Sequence, residues 1–401
     1  MASLLAGAIW AALIAWLLTR ALNQFVAHRA GSLDSTDESE PTDENEPLRS
    51  LPQVAIVVPA RDEIANIELC LAGLTRQSGI DVRIIVVDDE SRDGTGEAVA
   101  RAASIDPRIV LESVGPLPRG WMGKPRACWH GALRADTPWL CFVDADVRAE
   151  PGLVAAAIGA AERQGIDLLS LSPFQELGSF WERLVIPAGL VSIACAMDLR
   201  RVDDPGAPEI SANGQFLLIR RSVYFAVGGH AAVRGEICED KALAARVKRG
   251  GWRFRLLGAG RLARTRMYTD LASLREGLAK NATEIIGDSF DTMAASAAAM
   301  VLAWAAPIVP ALTLWAATNN PTAATTAGTG LAWLGSAAVL GVQFGTVRYF
   351  RIPWHFALLF PLAYAAVAAL AWHSAALRRR GRVGWKGRFY DIARKPAPGR
   401  P

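Results

Sequence analysis

The sequence lacks the cysteine and charge patterns that mark several classes of protein. Its 401 residues include five cysteines, and none of them shows the C-x-x-C spacing of zinc ligands. Scattered cysteines predict neither a zinc site nor a disulfide framework, so a reducing compartment is the simplest expectation. The formal net charge is only +4, which gives no electrostatic reason to expect binding to a polyanion. We therefore predict no nucleic-acid partner.

Charge is also absent from the start of the chain. Ala2 to Leu18 is an uncharged apolar run whose length lies at the short end of the range that spans a bilayer. A cleaved signal peptide would carry positive charge before its apolar core, whereas here Arg20, His28 and Arg29 follow the core. The positive-inside rule then places the N-terminus outside and the following chain in the cytoplasm. We predict a transmembrane anchor over residues 1–28, with a signal peptide as the alternative.

The next stretch, residues 29–50, has almost no large apolar side chain and is rich in acidic residues. Such a composition cannot bury a core, because it offers too little apolar surface to offset the loss of chain entropy. It is therefore predicted to be an acidic disordered linker, with a regulatory acidic segment as the alternative.

Three later stretches again lack charged residues, namely 292–318, 321–347 and 356–377. Each is long enough to cross a bilayer, although the second is rich in Gly, Ala and Thr. We predict two to three transmembrane helices within residues 291–377. Residues 271–290 are predicted to form an interfacial helix, or one that packs on the catalytic domain, and residues 378–401 a basic cytoplasmic tail. Three spans would place that tail outside, against the charge rule, so one stretch would then be re-entrant or interfacial.

Between these apolar regions, residues 51–270 alternate between strand-like and helix-like segments. Short apolar runs such as VAIVVPA, VRIIVVD and WLCFVDADV are typical of buried strands, and segments with helical spacing separate them. This alternation predicts an α/β domain with a largely parallel sheet. Ligands of such sheets bind beyond the carboxyl ends of the strands. Three strands end in PARDE, DDES and DAD, so we expect these polar groups to meet at one edge.

The DAD motif places Asp144 and Asp146 one residue apart. Their side chains would point the same way if the strand continued that far, because side chains alternate across a strand. Two adjacent carboxylates repel unless a cation lies between them. A hard divalent ion such as Mg²⁺ or Mn²⁺ would meet that need. The alternative is a solvated strand end.

Two further motifs are candidate parts of a nucleotide site. Asp89 in DDES is predicted to accept hydrogen bonds from a nucleobase or a ribose, with Glu63 facing the same pocket and Arg61 facing a phosphate. Lys124 lies in a Gly- and Pro-rich stretch predicted to be a loop until about Arg126, and it is placed to meet a diphosphate. The DDES stretch is also expected to cap the following helix through Ser91 or Asp93, and the two roles are compatible. The alternative for Lys124 is an ordinary surface lysine.

The stretch ICEDKALAARVKRGGW predicts a helix that begins near Glu239 and Asp240. Acidic residues are favoured at a helix start by the helix dipole alone. The alternative is a catalytic one, in which a carboxylate kept ionised by Lys241 and Arg246 accepts a hydroxyl proton.

Taken in order, V-x-I-V-V-P-A-R-D-E, D-D-E-S-x-D-G-T, G-K, D-A-D and E-D resemble the family 2 glycosyltransferases of GT-A fold, over residues 51–268. The motifs G-W-M-G-K-P-R-A-C, F-W-E-R-L-V-I-P-A and W-K-G-R are similar to those of membrane enzymes that act on lipids. Within that group the chain resembles hopene-associated, carotenoid and ceramide glycosyltransferases. The resemblance implies a GT-A domain with a Rossmann-like sheet, held in a bacterial-type inner membrane by several spans, with the catalytic domain in the cytoplasm.

The resemblance also implies a reaction, which is the inverting transfer of a sugar from a nucleotide-diphosphate sugar, a UDP-sugar above all, to a hydroxyl of a lipid acceptor such as a hopanoid, carotenoid or sphingolipid. It places Pro59, Ala60, Glu63 and Asp89 in the nucleotide pocket. Lys124 would meet the donor diphosphate, Asp144 the ribose or the sugar-diphosphate, and Asp146, with Asp144, the divalent metal. Asn213 and Gly214 would lie under the acceptor or donor sugar, and Asp240 would be the general base beside Glu239.

One family motif is missing. The chain has no clear Q/R-x-x-R-W near the membrane, where Arg275 and Lys280 stand instead. This absence weakens the alternative of a processive polysaccharide synthase. A second alternative is a non-catalytic membrane scaffold, against which the presence of Asp144, Asp146 and Asp240 together argues.

Overall fold

A computed structural model describes residues 1–33, 51–286 and 289–391, which divide into two compact units. The sheet unit consists of Ala27–Glu176 and Leu199–Met267. The helical unit consists of Met1–Val26, Leu177–Asp198 and the described part of Tyr268–Pro401. Most of the predicted linker, and the end of the predicted basic tail, lie outside the described residues.

The sheet unit is built on a seven-stranded sheet with the spatial order β3-β2-β1-β4-β8-β6-β9. The strands are β1 (Val54–Ala60), β2 (Val82–Asp88), β3 (Ile109–Ser113), β4 (Trp139–Val143), β6 (Leu168–Ser172), β8 (Phe216–Arg220) and β9 (Phe254–Gly258). Every paired strand is parallel to its neighbour except β8, which is antiparallel to β4 and β6. The prediction of an α/β fold with a mostly parallel sheet is confirmed.

Both faces of this sheet are buried, which explains why its strands read as continuous apolar runs. In β1, Val54, Ile56 and Val58 belong to one core cluster, whereas Ala55 and Val57 belong to the other. Helices of the sheet unit are α2 (Ile67–Thr75), α3 (Thr95–Ile105), α4 (Gly123–Leu133), α5 (Leu153–Gln164), α7 (Arg221–Ala226), α8 (Gly229–Ala232) and α9 (Glu239–Arg249).

The predicted strand WLCFVDADV is two strands in the structure. β4 ends at Val143, and the chain turns through residues 144–146, closed by a hydrogen bond from the Val147 N–H to the Asp144 carbonyl (3.0 Å). The chain then joins a small second sheet made of β5 (Val147–Ala149), β7 (Phe174–Gln175) and β10 (Ala263–Thr265). The expectation that Asp144 and Asp146 share one face of a continuing strand was therefore wrong, because both lie in a turn.

The helical unit contains long apolar helices. They are α1 (Ala2–Ala30), whose last residues belong to the sheet unit, α6 (Phe180–Ala196), α10 (Leu271–Ile286), α11 (Ser289–Asn319), α12 (Ala323–Tyr349) and α13 (Phe360–Arg379), followed by a hairpin of β11 (Arg382–Trp385) and β12 (Arg388–Asp391). By length and composition, four helices in the described chain could cross a membrane: α1 over Ala2–Gln24, α11, α12 and α13.

Helix α1 packs closely against α12. A Cβ built on Gly7 would lie 2.1 Å from the carbonyl oxygen of Gly328, so only glycine permits this approach. The indole N–H of Trp10 donates to Ser336 Oγ (3.1 Å), and that hydroxyl in turn donates to the Ala306 carbonyl (2.6 Å). Small residues and buried hydrogen bonds of this kind are typical of helix packing in membranes.

Candidate active site

The predicted site residues cluster at one edge of the main sheet because of the strand directions. Ala60 is paired with Asp88 at the ends of the parallel strands β1 and β2. Val143, the last residue of β4, is paired with Phe216, the first residue of the antiparallel β8. Segments that follow β1, β2 and β4, and the segment that precedes β8, therefore emerge on the same side.

Two loops with strained backbone follow β1 and β2 and hold one another. Asp62 and Glu90 have positive φ angles of 50° and 60°, which side chains other than glycine rarely adopt. The Asp62 N–H donates to Ser91 Oγ (3.0 Å), and the Arg92 N–H donates to Asp62 Oδ1 (2.8 Å). Arg61, predicted to face a phosphate, donates to the Asp89 carbonyl (2.5 Å). Strain that is held by such a network is common at ligand sites.

The predicted nucleotide pocket lies on these loops. Asp89 is buried, and its N–H donates to the Ala60 carbonyl (2.8 Å). Glu63 is held through both its backbone and its side chain. Its N–H donates to Thr95 Oγ1 (2.8 Å), and its Oε2 accepts from the Asn66 side chain (3.0 Å). Pro59 lies within β1. The structure thus brings all four predicted pocket residues to the same pair of strand ends.

The Lys124 ammonium connects the two halves of the site. Its Nζ lies 2.8 Å from Asp144 Oδ1 and 3.0 Å from Asp144 Oδ2. It also lies 3.0 Å from Glu239 Oε1 and 3.3 Å from the Gly214 carbonyl. Burial lowers the pKa of Lys124, but the Asp144 and Glu239 carboxylates outweigh burial and raise that pKa well above its ordinary value. This lysine is therefore a permanent cation at the centre of the site.

The loop predicted around Lys124 ends earlier than expected. Helix α4 begins at Gly123 rather than near Arg126, so Lys124 lies in its first turn. Proline is tolerated there because the first N–H groups of a helix need no intrahelical acceptor, which allows Pro125. A cation at this end opposes the helix dipole, and the two carboxylates compensate for it.

Asp240 is held by backbone groups in the first turn of α9. Its Oδ2 accepts from the Gly214 N–H (2.7 Å), and its Oδ1 accepts from the Lys241 N–H (2.8 Å). A Cβ on Gly214 would lie 3.0 Å from Lys124 Nζ and 3.1 Å from Asp240 Oδ2. Glycine at position 214 thus allows the ammonium and the carboxylate to approach the same peptide.

The charge environment of Asp240 differs from the prediction. Burial, followed by the neighbouring Glu239 carboxylate, raises the pKa of Asp240 to about 6, and the cation that opposes this rise is Lys124. Arg246 instead donates to the Val227 carbonyl (2.8 Å). Lys124 therefore has the charge role that the prediction gave to Lys241 and Arg246.

Asp144 and Asp146 lie beside a cysteine that sequence reasoning missed. The Cys70 thiol donates to the Asp144 carbonyl (3.7 Å). Burial raises the pKa of Cys70, and the carboxylates of Asp146, Glu63 and Asp144 raise it further, in that order. The three carboxylates therefore lie near enough to the Cys70 thiol to disfavour its ionisation. Burial also raises the pKa of Asp144, against the effect of Lys124.

This donor set fits a divalent ion only in part. Within the described residues, no group of three or more His, Cys, Asp or Glu side chains is arranged to hold a metal. Mg²⁺, however, is commonly held by one or two carboxylates together with substrate phosphates. Asp144 and Asp146 match that second arrangement in number and chemistry. They fit an ion shared with a diphosphate and not a site made of protein alone.

A buried polar network supports the segment that carries Gly214. Ser170 Oγ donates to the Asn213 carbonyl (3.0 Å) and accepts from the Asn213 N–H (2.8 Å). The Gln215 N–H donates to Asn213 Oδ1 (2.9 Å), and Gln215 Nε2 donates to Thr265 Oγ1 (3.1 Å). Asn213 thus orients backbone. Ser170 and Gln215 were not predicted as site residues. The signal in the sequence was a polar residue in each of two apolar runs, LLSLS and GQFLL.

Comparison with known proteins gives a family match over part of this site, which does not include Glu239 and Asp240. Residues 55–225 match the family model described as Glycosyl transferase family 2. The 4,4'-diaponeurosporenoate glycosyltransferases of Staphylococcus aureus strains MRSA252 and USA300 are 32% and 31% identical over 192 residues, which are 47% of this chain and 50% of each relative. The chain therefore spans about half the length of the curated relatives it matches.

Solved structures show a more distant likeness. A mannosyltransferase from Pyrobaculum calidifontis, in complex with GDP-Man and Mn²⁺, has 19% identity and a TM-score of 0.48, covering 90% of this chain and 99% of its own. Glucosyl-3-phosphoglycerate synthase from Mycobacterium tuberculosis has 20% identity and a TM-score of 0.39, covering 60% and 81%. At these values the likeness carries no inference about function.

Proposed function

We propose that this chain, whose residues 55–225 match the family model described as Glycosyl transferase family 2, transfers one sugar from a nucleotide-diphosphate sugar to a hydroxyl of a membrane lipid, with inversion at the anomeric carbon. The proposal rests on a set of contacts around Gly214. Lys124 contacts Asp144, Glu239 and the Gly214 carbonyl. The Gly214 N–H donates to the Asp240 carboxylate. These contacts join a cation suited to a diphosphate with a carboxylate suited to proton removal.

On the donor side, Asp89, Glu63, Ala60 and Pro59 bind the nucleoside. The buried Asp89 side chain would accept hydrogen bonds from a base or ribose, as acidic residues do in other sheets of this kind. The loops that carry it are already held by their own hydrogen bonds, so little order would have to be gained on binding.

Lys124 stabilises the charge that develops on the departing nucleoside diphosphate. An ammonium fixed before the reaction requires no reorganisation as the bond breaks. In the structure this ammonium is shared by Asp144 and Glu239, and a diphosphate would compete with them for it. Asp144 and Asp146 would hold a Mg²⁺ or Mn²⁺ ion together with the donor. That ion supplies Lewis-acid stabilisation of the leaving group.

On the acceptor side, Asp240 removes the proton of the attacking hydroxyl. A base whose pKa lies near the working pH transfers protons most effectively, and the value of about 6 for Asp240 meets this condition. Each carboxylate oxygen accepts one backbone N–H, which leaves a lone pair for the proton. A single displacement needs no second carboxylate as nucleophile.

The acceptor is a lipid in this proposal because the described part of the chain has four helices long and apolar enough to cross a membrane. Similarity over about half their length to glycosyltransferases named for 4,4'-diaponeurosporenoate supports a carotenoid-like or other long apolar acceptor. We place the sheet unit on the cytoplasmic side because Arg20 follows the first apolar run.

The test is incubation of membranes that contain the chain with a panel of labelled UDP- and GDP-sugars, followed by lipid extraction. Transfer of label from one donor into the lipid phase, and its absence with Asp240→Asn, is the expected result. Label that stays in the aqueous phase with every donor would overturn the proposal.

A further inference from the structure

The helical unit contains a cavity of about 340 Å³, within the usual size range of ligand sites. Six helices line it, each contributing several residues. One lining residue from each, in chain order, is Ile14, Gly189, Leu278, Ala299, Gln343 and Tyr364. None of the lining residues is charged. The cavity lies wholly within the helical unit and shares no residue with the cluster around Lys124.

The polar residues of the wall are already engaged with neighbouring protein groups. Ser192 Oγ donates to the Ala188 carbonyl (2.8 Å), and Ser296 Oγ donates to the Met293 carbonyl (3.1 Å). Gln343 and Tyr364 form a hydrogen bond with each other. Water in this cavity would find few partners, and apolar cavities without such partners stay dry.

The cavity is partly open to the outside of the helical unit. An apolar wall that has no partner atoms on one side loses dispersion contacts. The wall is shaped by small residues on three helices, including Gly189, Ala299 and Ala371. Four of the six lining helices are long and apolar enough to cross a membrane, namely α1, α11, α12 and α13. The occupant that this setting supplies is a hydrocarbon chain from the bilayer.

We propose that this cavity binds the apolar chain of the lipid acceptor. The inference rests on the proposed function, which requires a lipid whose hydroxyl is glycosylated. A hydrocarbon chain would make van der Waals contacts with this uncharged wall. Burial of that chain stabilises the complex in proportion to its apolar area. The cavity therefore selects for chain length, whereas the sheet unit selects the sugar nucleotide.

A matched pair of glycine variants tests the cavity. A Cβ on Gly189 or on Gly341 would meet no atom within 4 Å, so a larger side chain fits the backbone at both positions. Gly189 lines the cavity and Gly341 does not. Gly189→Leu fills the cavity, and Gly341→Leu is its control. Ala299→Phe on the wall and Ala294→Phe, an exposed position on the same helix, repeat the comparison.

The probe is a long-chain alcohol that carries a diazirine in its hydrocarbon chain, applied to the full chain in nanodiscs. We expect photolabelling of the wild type to map to the cavity helices. The KM for long-chain acceptors should rise about tenfold or more in Gly189→Leu, a usual penalty for lost room in an apolar pocket, and stay unchanged in Gly341→Leu. Equal KM values and equal labelling in the two variants would overturn the cavity assignment.

A third readout separates this inference from the proposed function. Binding of the sugar nucleotide, measured by calorimetry, should be the same in Gly189→Leu and wild type, because Gly189 is outside the sheet unit. If the wild type transfers no sugar to any lipid, the proposed function fails and the acceptor assignment fails with it. If transfer to lipid occurs and the filled variant keeps its KM, only the cavity assignment fails.

Discussion

The sheet unit and the helical unit differ in which side chains they bury and in where they keep charge. In the sheet unit, both faces of the main sheet are apolar, and charged groups such as Lys124 and Glu239 meet at one edge. In the helical unit, small residues such as Gly7 lie between helices, whereas large apolar residues such as Trp315 remain exposed. The first arrangement is typical of a unit surrounded by water, with its chemistry at the edge of the sheet. The second is typical of a unit surrounded by lipid.

A substitution in the sheet unit should therefore affect the chemical step, whereas one in the helical unit should affect acceptor binding or stability. The largest expected effect is that of Asp240→Asn. Removal of a general base costs about 10²- to 10⁴-fold in rate, so kcat for transfer should fall by that factor while sugar-nucleotide binding is kept. Asp136→Asn, an exposed acid of the same unit, is the control. A normal rate in Asp240→Asn would show that another group takes the proton.

Lys124→Met should have the next largest effect. It removes a cation that lies within 3.0 Å of both Asp144 and Glu239, and loss of one preorganised charge group costs about 10²-fold in kcat. Lys124→Arg, which keeps the charge, should recover part of the rate. Equal rates for the Met and Arg variants would contradict a role for the charge.

The pH profile should report Asp240. Its pKa of about 6 lies above the ordinary value for a carboxyl, and the active base is the deprotonated form. The value of kcat/KM should therefore be constant above about pH 6 and fall about tenfold per unit below it. In Lys124→Met the midpoint should move upward, because Lys124 lowers the Asp240 pKa. A profile that is flat from pH 5 to 8 would be the contrary result.

Gly214→Ala should have a smaller effect on the same chemistry. The added Cβ would crowd both Lys124 Nζ and Asp240, and small shifts of a catalytic group are costly. We expect kcat to fall about tenfold, by analogy with such misplacement. Gly115→Ala, whose Cβ would meet no atom within 4 Å, is the control. If both variants retain the wild-type rate, the close approach at Gly214 is not required.

The smallest effect on transfer chemistry should come from Gly7→Leu in the helical unit. Because a Cβ at Gly7 collides with Gly328, overpacking should destabilise the α1–α12 contact by about 1–3 kcal/mol. Gly330→Leu, at a position with open space, should be neutral. Thermal unfolding measures the change, and sugar-nucleotide binding should stay normal. Equal stability of the two variants would mean that α1 does not pack as described.

The same contrast explains how much the sequence reveals. The motifs of the sheet unit predicted Lys124, Asp144, Gly214, Glu239 and Asp240, and the strand directions bring these residues together. Where one strand stops cannot be told from apolar pattern alone, so the turn after β4 was missed. The cation that acts on Asp240 was also mispredicted, because the pKa of Asp240 depends on burial, on Glu239 and on Lys124, which lies far away in sequence.

In the helical unit, the length of the uncharged apolar stretches predicted the candidate membrane spans. Three of these spans follow the sheet unit in the sequence. Pattern alone could not predict the cavity, because its wall consists of alanines and glycines that also occur on helix surfaces. It arises where small residues from six helices face one another. The predicted domain boundaries, and the interfacial role of residues 271–290, remain predictions.

The most direct test of the central claim is the intact mass of the lipid product. Lipids extracted after reaction with the labelled donor that gives transfer should show one species, heavier than the acceptor by a single sugar. Asp240→Asn should yield none of it. A ladder of masses separated by one sugar unit would instead identify a processive polymerase and contradict the account.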